Sequence, residues 1–203
     1  ELAYQSTHDA MPARLWAMRQ LAENYPADAA TLETLSKIIA KPAFWADAAE
    51  AAQLLGELRT DEAMKTLRRA FASPEYRVRK AALLALTKFG VQAKDLLREI
   101  ILNDSHSDVA ATAIVGLAKV DKKLDGQFIN QQLARKSWYD EIVVGCLKAY
   151  AELGHPAGVL TVKQYAGSSH HQHVRQAAIE AWDQCAPQDK ELNAKLIELA
   201  KGS

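Results

Sequence analysis

Three imidazoles packed into four positions, His170, His171 and His173, are the residues best equipped for chemistry. Histidines this close together can bind transition metals. No Cys, Asp or Glu shares the stretch, however, and the run precedes the apolar helix start at Val174. A solvated turn is the expectation, with His170, His171 and His173 as weak metal candidates. Cys146 and Cys185 stand at the second and fourth positions of apolar helical stripes. That register difference is about 10 Å along a helix axis, beyond the reach of a disulfide. Both read as small, buried, free thiols. Of the four tryptophans, Trp182 falls on such a stripe, whereas Trp45 and Trp138-Tyr139 precede their helices. Aromatics placed there can staple one structural unit to the next, so packing is expected ahead of ligand stacking. No catalytic and no cofactor-binding residue is assigned.

A second group of polar residues suits binding. Lys37, Lys65, Arg68, Arg69, Arg98, Gln131 and Gln164 lie on the polar faces of helices that follow short turns. In stacked helical repeats such second helices commonly line the binding surface. Arg68 and Arg69 are the first candidates for contact with acidic groups.

These residues are positioned by a repeat. Six apolar segments close on Leu21, Leu54, Leu86, Leu117, Tyr150 and Trp182, in steps of 33, 32, 31, 33 and 32 residues. A steady period in this range marks a helical solenoid. Within four first helices apolar residues fall at i, i+4, i+8 and i+11: Val78, Ala82, Leu86, Phe89; Val109, Ala113, Leu117, Val120; Ile142, Cys146, Tyr150, Leu153; and Val174, Ala178, Trp182, Cys185. Each is one stripe of a 3.6-period helix. The second stripe position is small in five units (Ala17, Ala82, Ala113, Cys146, Ala178), which lets neighbouring helices approach closely. Glu50 breaks the rule and implies a one-residue shift in the second unit. Ser73-Pro74 reads as a helix cap followed by a first-turn proline, and Gly90, Gly154 and Gly202 as left-handed helix ends. No sustained two-residue alternation supports a strand. The expected fold is an all-α solenoid of about six helical hairpins with a period of about 32 residues. The units fall near 11–40, 43–71, 74–102, 105–135, 138–166 and 170–201, within one domain spanning 1–203.

Composition narrows the partners. Lys plus Arg and Asp plus Glu number 25 each, and the formal charge is zero. Nucleic-acid binders show a basic excess, so none is expected as a partner. No apolar run reaches the length of a membrane span. The chain begins at Glu1 without a charged-then-apolar leader, which suggests a fragment of a longer protein.

Two stretches, Val78 to Leu86 (VRKAALLAL) and Val174 to Trp182 (VRQAAIEAW), resemble HEAT-like repeats of the HEAT/armadillo superhelix class, in which a Val-Arg pair opens the first helix. Val109-Ala110 and Ile142-Val143 lack the Arg, so a ladder of arginine contacts between units should be interrupted there. The first ninety residues carry a narrower likeness. Gln5 to Ala10, Arg14 and Ala17 to Leu21 are followed by Lys41-Pro42-Ala43-Phe44-Trp45, then Ala48 to Ala52, Leu55-Gly56 and Tyr76 to Ala82. This order resembles the C-terminal HEAT-like domain of bacterial-type M1-family zinc aminopeptidases. One departure is Asp47, which stands where an Arg of the Val-Arg type is expected. The resemblance implies a non-catalytic domain that packs beside a catalytic module of the same chain and helps shape substrate access. The family's zinc motif, His-Glu-x-x-His, lies in that other module; none of the six histidines here is followed by Glu. Zinc is therefore implied for the parent catalytic domain alone, and no cofactor for this segment. The alternative is a general scaffold for protein–protein interaction, whose partner is a separate peptide or protein.

Overall fold

The computed structural model describes Leu2 and residues 10–201. Its described elements are helices paired in chain order: α1 (Met11–Asn24) with α2 (Ala29–Ala40), α3 (Trp45–Leu58) with α4 (Asp61–Arg69), and α5 (Tyr76–Leu86) with α6 (Lys94–Asn103). The series continues with α7 (Ser107–Val120) and α8 (Gly126–Leu133), α9 (Glu141–Leu153) and α10 (Val159–Tyr165), and α11 (Gln172–Cys185) and α12 (Lys190–Ala200). No strand occurs among the described residues. The architecture is the all-α helical solenoid that the periodicity predicts. It divides into two compact units, with the boundary between Glu99 and Ile100. Gln5 to Asp9 and Gly202, singled out from the sequence, lie outside the described residues.

In the N-terminal unit the first helices bury small and branched residues against one another. Ala17 and Met18 of α1, Ala51 and Leu55 of α3, and Ala82 and Leu86 of α5 are all fully buried. The anchor of α3 is therefore Leu55, 34 residues after Leu21 and 31 before Leu86, and the buried stripe is displaced by one from the Leu54 register. Glu50 is thereby turned to the helix flank, where it takes Arg19 Nε at 2.6 Å. Close approach has a specific cause at Gly56, where an added Cβ would lie 2.9 Å from Ala85 Cβ. Helix ends are capped by side chains: Asp28 accepts from Ala30 N at 2.9 Å and Thr60 from Ala63 N at 3.1 Å. Acidic Asp61 and Glu62 open α4 and Arg68 and Arg69 close it, the polarity the helix dipole favours.

The cap of α5 differs from the Ser73-Pro74 expectation. Glu75 is the cap, accepting from Arg77 N, while Ser73 Oγ accepts from Glu75 N within the preceding turn. The arginines of the Val-Arg pairs hold turns in place. Arg79 Nη1 donates to the carbonyls of Ser73 and Pro74 at 2.9 and 3.2 Å, and Arg175 Nη1 to the carbonyl of His170 at 2.7 Å. These bonds tie down the turn before each arginine's own helix. Arg14 reaches across hairpins instead, pairing with buried Asp47 at 2.7 Å.

In the C-terminal unit the stripes follow the sequence closely. Val109, Ala113 and Leu117 of α7, Ile142, Cys146 and Tyr150 of α9, and Val174, Ala178 and Trp182 of α11 are all buried. The fourth position is less uniform: Cys185 is buried, while Val120 and Leu153 are half-buried. The crossing of α7 and α9 depends on Gly145, because a Cβ there would lie 2.8 Å from both Ala111 Cα and its carbonyl oxygen. Gly154 ends α9 in the left-handed region at φ 58°, ψ 23°. Gly90 differs: its φ of 59° comes with ψ −138°, which makes it a kink between α5 and α6.

Candidate functional site

The second helices of the N-terminal unit form a continuous layer. Ser36 Oγ and Thr66 Oγ1 lie 3.0 Å apart across α2 and α4, and Arg68 of α4 reaches Glu99 of α6 at 3.1 Å. Lys37, Lys65, Arg68 and Arg69 are exposed on this layer. Most of their charge is answered locally: Lys37 by Glu33 at 2.6 Å, Lys65 by Glu62 at 2.6 Å, and Arg68 by Glu99. Glu33 and Glu62 are each held below the usual carboxylate range, first by the hydrogen bond from their lysine. Pairs this exposed contribute little stability, so they leave a mixed-charge surface able to exchange partners. Arg98 sits half-buried on α6, with its Nε shielded from solvent. Gln131 on α8 and Gln164 on α10 are exposed within the C-terminal unit. On the opposite, first-helix side of the N-terminal unit, half-exposed Leu84 with Ala46, Ala49, Ala81 and Ala85 borders a groove of about 420 Å³.

The histidine run does not converge on a point. The rings of His171 and His173 lie 5.9 Å apart and nearly parallel, and His170 packs on Tyr165 at 5.0 Å. His173 stacks on Tyr139 at 3.8 Å, and its Nε2 lies 2.9 Å from the Tyr139 carbonyl oxygen. Among the described residues no group of three His, Cys, Asp or Glu side chains is arranged to hold a metal. The imidazoles clamp a turn: Tyr139 and Asp140 both adopt left-handed backbone, at φ 47° and 53°, which costs about 1–2 kcal/mol per residue.

The same device recurs in the N-terminal unit. Arg77 lies 4.6 Å over the ring of Trp45 while Glu75 accepts from its Nε at 2.8 Å. Arg77 and His173 both immediately precede the valine that opens their stripe. Trp45, which opens α3, and Tyr139, which precedes α9, are thus gripped by the following hairpin, the stapling expected of these aromatics. Trp182, buried in α11, donates from Nε1 to Asp189 at 3.0 Å and is covered by Lys163 at 4.6 Å. Trp138 and Trp16 stay exposed, at 83% and 53%.

Cys146 and Cys185 are buried free thiols. Burial pushes Cys146 up to about 12, and Cys185 is raised for the same reason. Their Sγ atoms lie 3.7 and 3.4 Å from the carbonyl oxygens of Ile129 and Tyr150. Burial thus disfavours the thiolate, the reactive form, at both positions.

Sequence periodicity misses one feature. In the C-terminal unit a cleft of about 650 Å³ opens between the turns at 122–127 and 153–158, with Tyr150, Asn130 and His155 in its wall. The only sequence signals were turn residues, since Tyr150 reads simply as a core anchor.

No described helix is long and apolar enough to cross a membrane. No curated protein matches the chain. Residues 32–118 match the family model described as HEAT repeats, a span from within α2 to near the end of α7. Paired helices and a period near 32 residues make this an all-α helical-repeat domain, similar over residues 32–118 to HEAT repeats.

Proposed function

We propose that the domain is a scaffold for protein–protein interaction and that the second-helix layer of the N-terminal unit is a contact surface. One observation carries this: the layer of α2, α4 and α6 is continuous and exposes Arg69 beside carboxylates already occupied by Lys37, Lys65 and Arg68. An acidic partner segment then meets the Arg69 guanidinium, which interacts with Glu62 through space, and several pairs whose lysine or arginine can be redirected. Photo-cross-linkers at residue 65 and, as a control, at exposed Gln53 on α3 test it. A single stoichiometric adduct from position 65, lost on Arg69→Glu, is expected. Equal adducts from positions 65 and 53, or none, refute the assignment.

The finer form of this proposal makes the partner a catalytic module of the same polypeptide. The order Phe44-Trp45, Ala48 to Ala52 and Tyr76 to Ala82 supports it through its resemblance to the C-terminal domain of M1-type aminopeptidases. In that role the domain carries no reaction of its own; zinc and peptide hydrolysis belong to the other module, and the repeat helps wall the substrate approach. The full reading frame then encodes His-Glu-x-x-His on the N-terminal side of Glu1. A frame without it removes the peptidase and leaves the scaffold standing.

A further inference from the structure

The cleft of the C-terminal unit is floored by the ring of Tyr150, which is only 4% exposed. Gly126 and Gly158 close around that ring: a Cβ at Gly158 would lie 2.5 Å from Tyr150 Cδ1. Hydrogen bonds in the wall decide what the cleft offers a ligand. Tyr150 Oη lies 2.7 Å from Asn130 Oδ1 and 3.2 Å from the Gly126 carbonyl oxygen, and its one proton goes to the nearer acceptor. The amide oxygen is thereby engaged, and the Nδ2 group keeps its two N–H donors for something else. Ala157 N donates to His155 Nδ1 at 3.1 Å, so the proton of the neutral imidazole resides on Nε2, a second donor. Lys123 is exposed on the same wall and adds an ammonium. Lys122 is occupied by the Glu152 carboxylate at 2.7 Å and its carbonyl at 2.9 Å. Asp125 is the carboxylate of the wall, and it accepts from Gln127 N at 2.9 Å as the cap of α8. Leu124, Leu153 and Ala157 make the remainder apolar.

Three donor groups sit beside hydrocarbon in a space of ordinary ligand size. We propose that this cleft binds a carboxylate carrying an apolar tail, the chemistry shared by a small acylated amino acid and by the C-terminal residue of a peptide. Asn130 Nδ2, His155 Nε2 and Lys123 Nζ supply charge-assisted hydrogen bonds to the carboxylate, and Leu124 and Leu153 take the tail. The site stands on the cleft alone and holds whatever the second-helix layer contacts.

Calorimetric titration of the intact 203-residue chain with N-acetyl-leucine, with its neutral N-acetyl-leucinamide counterpart, and with a hexapeptide ending in leucine carboxylate is the test. Saturable binding of the acid, at least about tenfold tighter than the amide, is expected from the loss of charge-assisted bonds. Asn130→Asp replaces a donor with a like charge and lowers that affinity at least about tenfold. Lys123→Gln, on an exposed turn, lowers it several-fold and serves if the first variant does not fold. Hexapeptide binding equal to that of the small acid assigns the site to peptide termini; exclusion of the hexapeptide assigns it to small acids. Equal binding of acid and amide, or no saturable binding of the acid at about 10 mM, overturns the proposal.

Discussion

Replacing Gly145 with alanine isolates how closely α7 and α9 must approach. The new Cβ would fall 2.8 Å from Ala111 Cα, 2.8 Å from its oxygen and 2.9 Å from its Cβ. Two effects oppose each other. Alanine in a helix interior is favoured over glycine by about 0.8–1.0 kcal/mol. Overpacking a filled interface costs about 1–3 kcal/mol. Two of the three atoms struck are backbone, so relief requires shifting a whole helix instead of rotating a side chain, and the upper part of that range applies. The net expectation is a loss of about 1–2 kcal/mol, which for a chain of this size lowers Tm by roughly 2–8 °C. Gly56→Ala, whose nearest contacts with Ala85 are 2.9, 3.0 and 3.1 Å, should lose less. Gly126→Ala meets only Tyr150, with Oη the nearest atom at 3.4 Å, and should change stability by less than about 0.5 kcal/mol. Urea unfolding followed by circular dichroism ranks the three. A Gly145→Ala protein as stable as its parent refutes close backbone contact as the reason for glycine at this crossing.

Asp47→Ala deprives Arg14 of a carboxylate that is only 2% exposed, so a loss of about 3 kcal/mol is expected. Adding Arg14→Met should recover part of it in a double-mutant cycle, and strict additivity of the two changes would show that the pair does not couple. Asp189 is held down at about 2, first by the hydrogen bond from Lys163, then by the Glu191 backbone and Trp182 Nε1. Its folded value lies below the ordinary one near 3.9. Its contribution is therefore complete above pH 4 and is lost as pH falls toward 2. The pH dependence of stability between pH 5 and 2 should flatten in Asp189→Asn; an unchanged slope would remove Asp189 from the acid response.

Apolar spacing made the helix pairs and most of the core legible, because burying an apolar stripe drives folding more than any other contribution and needs no partner identity. It also placed Cys146 and Cys185 correctly as core residues. The second unit was harder to read. With Ala at 46, 48, 49, 51 and 52, either of two registers gives an apolar stripe, and only the Glu50 anomaly pointed to Leu55 over Leu54. Turn chemistry was mostly invisible. Nothing in Trp138-Tyr139-Asp140 signals two consecutive left-handed residues, and the contact made there by His173 comes from 34 positions away. The cleft escaped notice for a related reason: the donor character of Asn130 and His155 is set by Tyr150 Oη and by the Ala157 amide. Neither relation is periodic.

Side-chain bonds between the helices of successive hairpins link residues 17 to 35 positions apart, from Cys146–Ile129 to Cys185–Tyr150. A nascent chain therefore needs only about one more hairpin outside the ribosome before the previous one can lock. Arg14 waits for Asp47, Glu57 for Lys88 and Tyr139 for His173. Such locality favours stepwise assembly during synthesis. It also leaves each newly made apolar face exposed for only a few seconds of elongation, at about 5–20 residues per second.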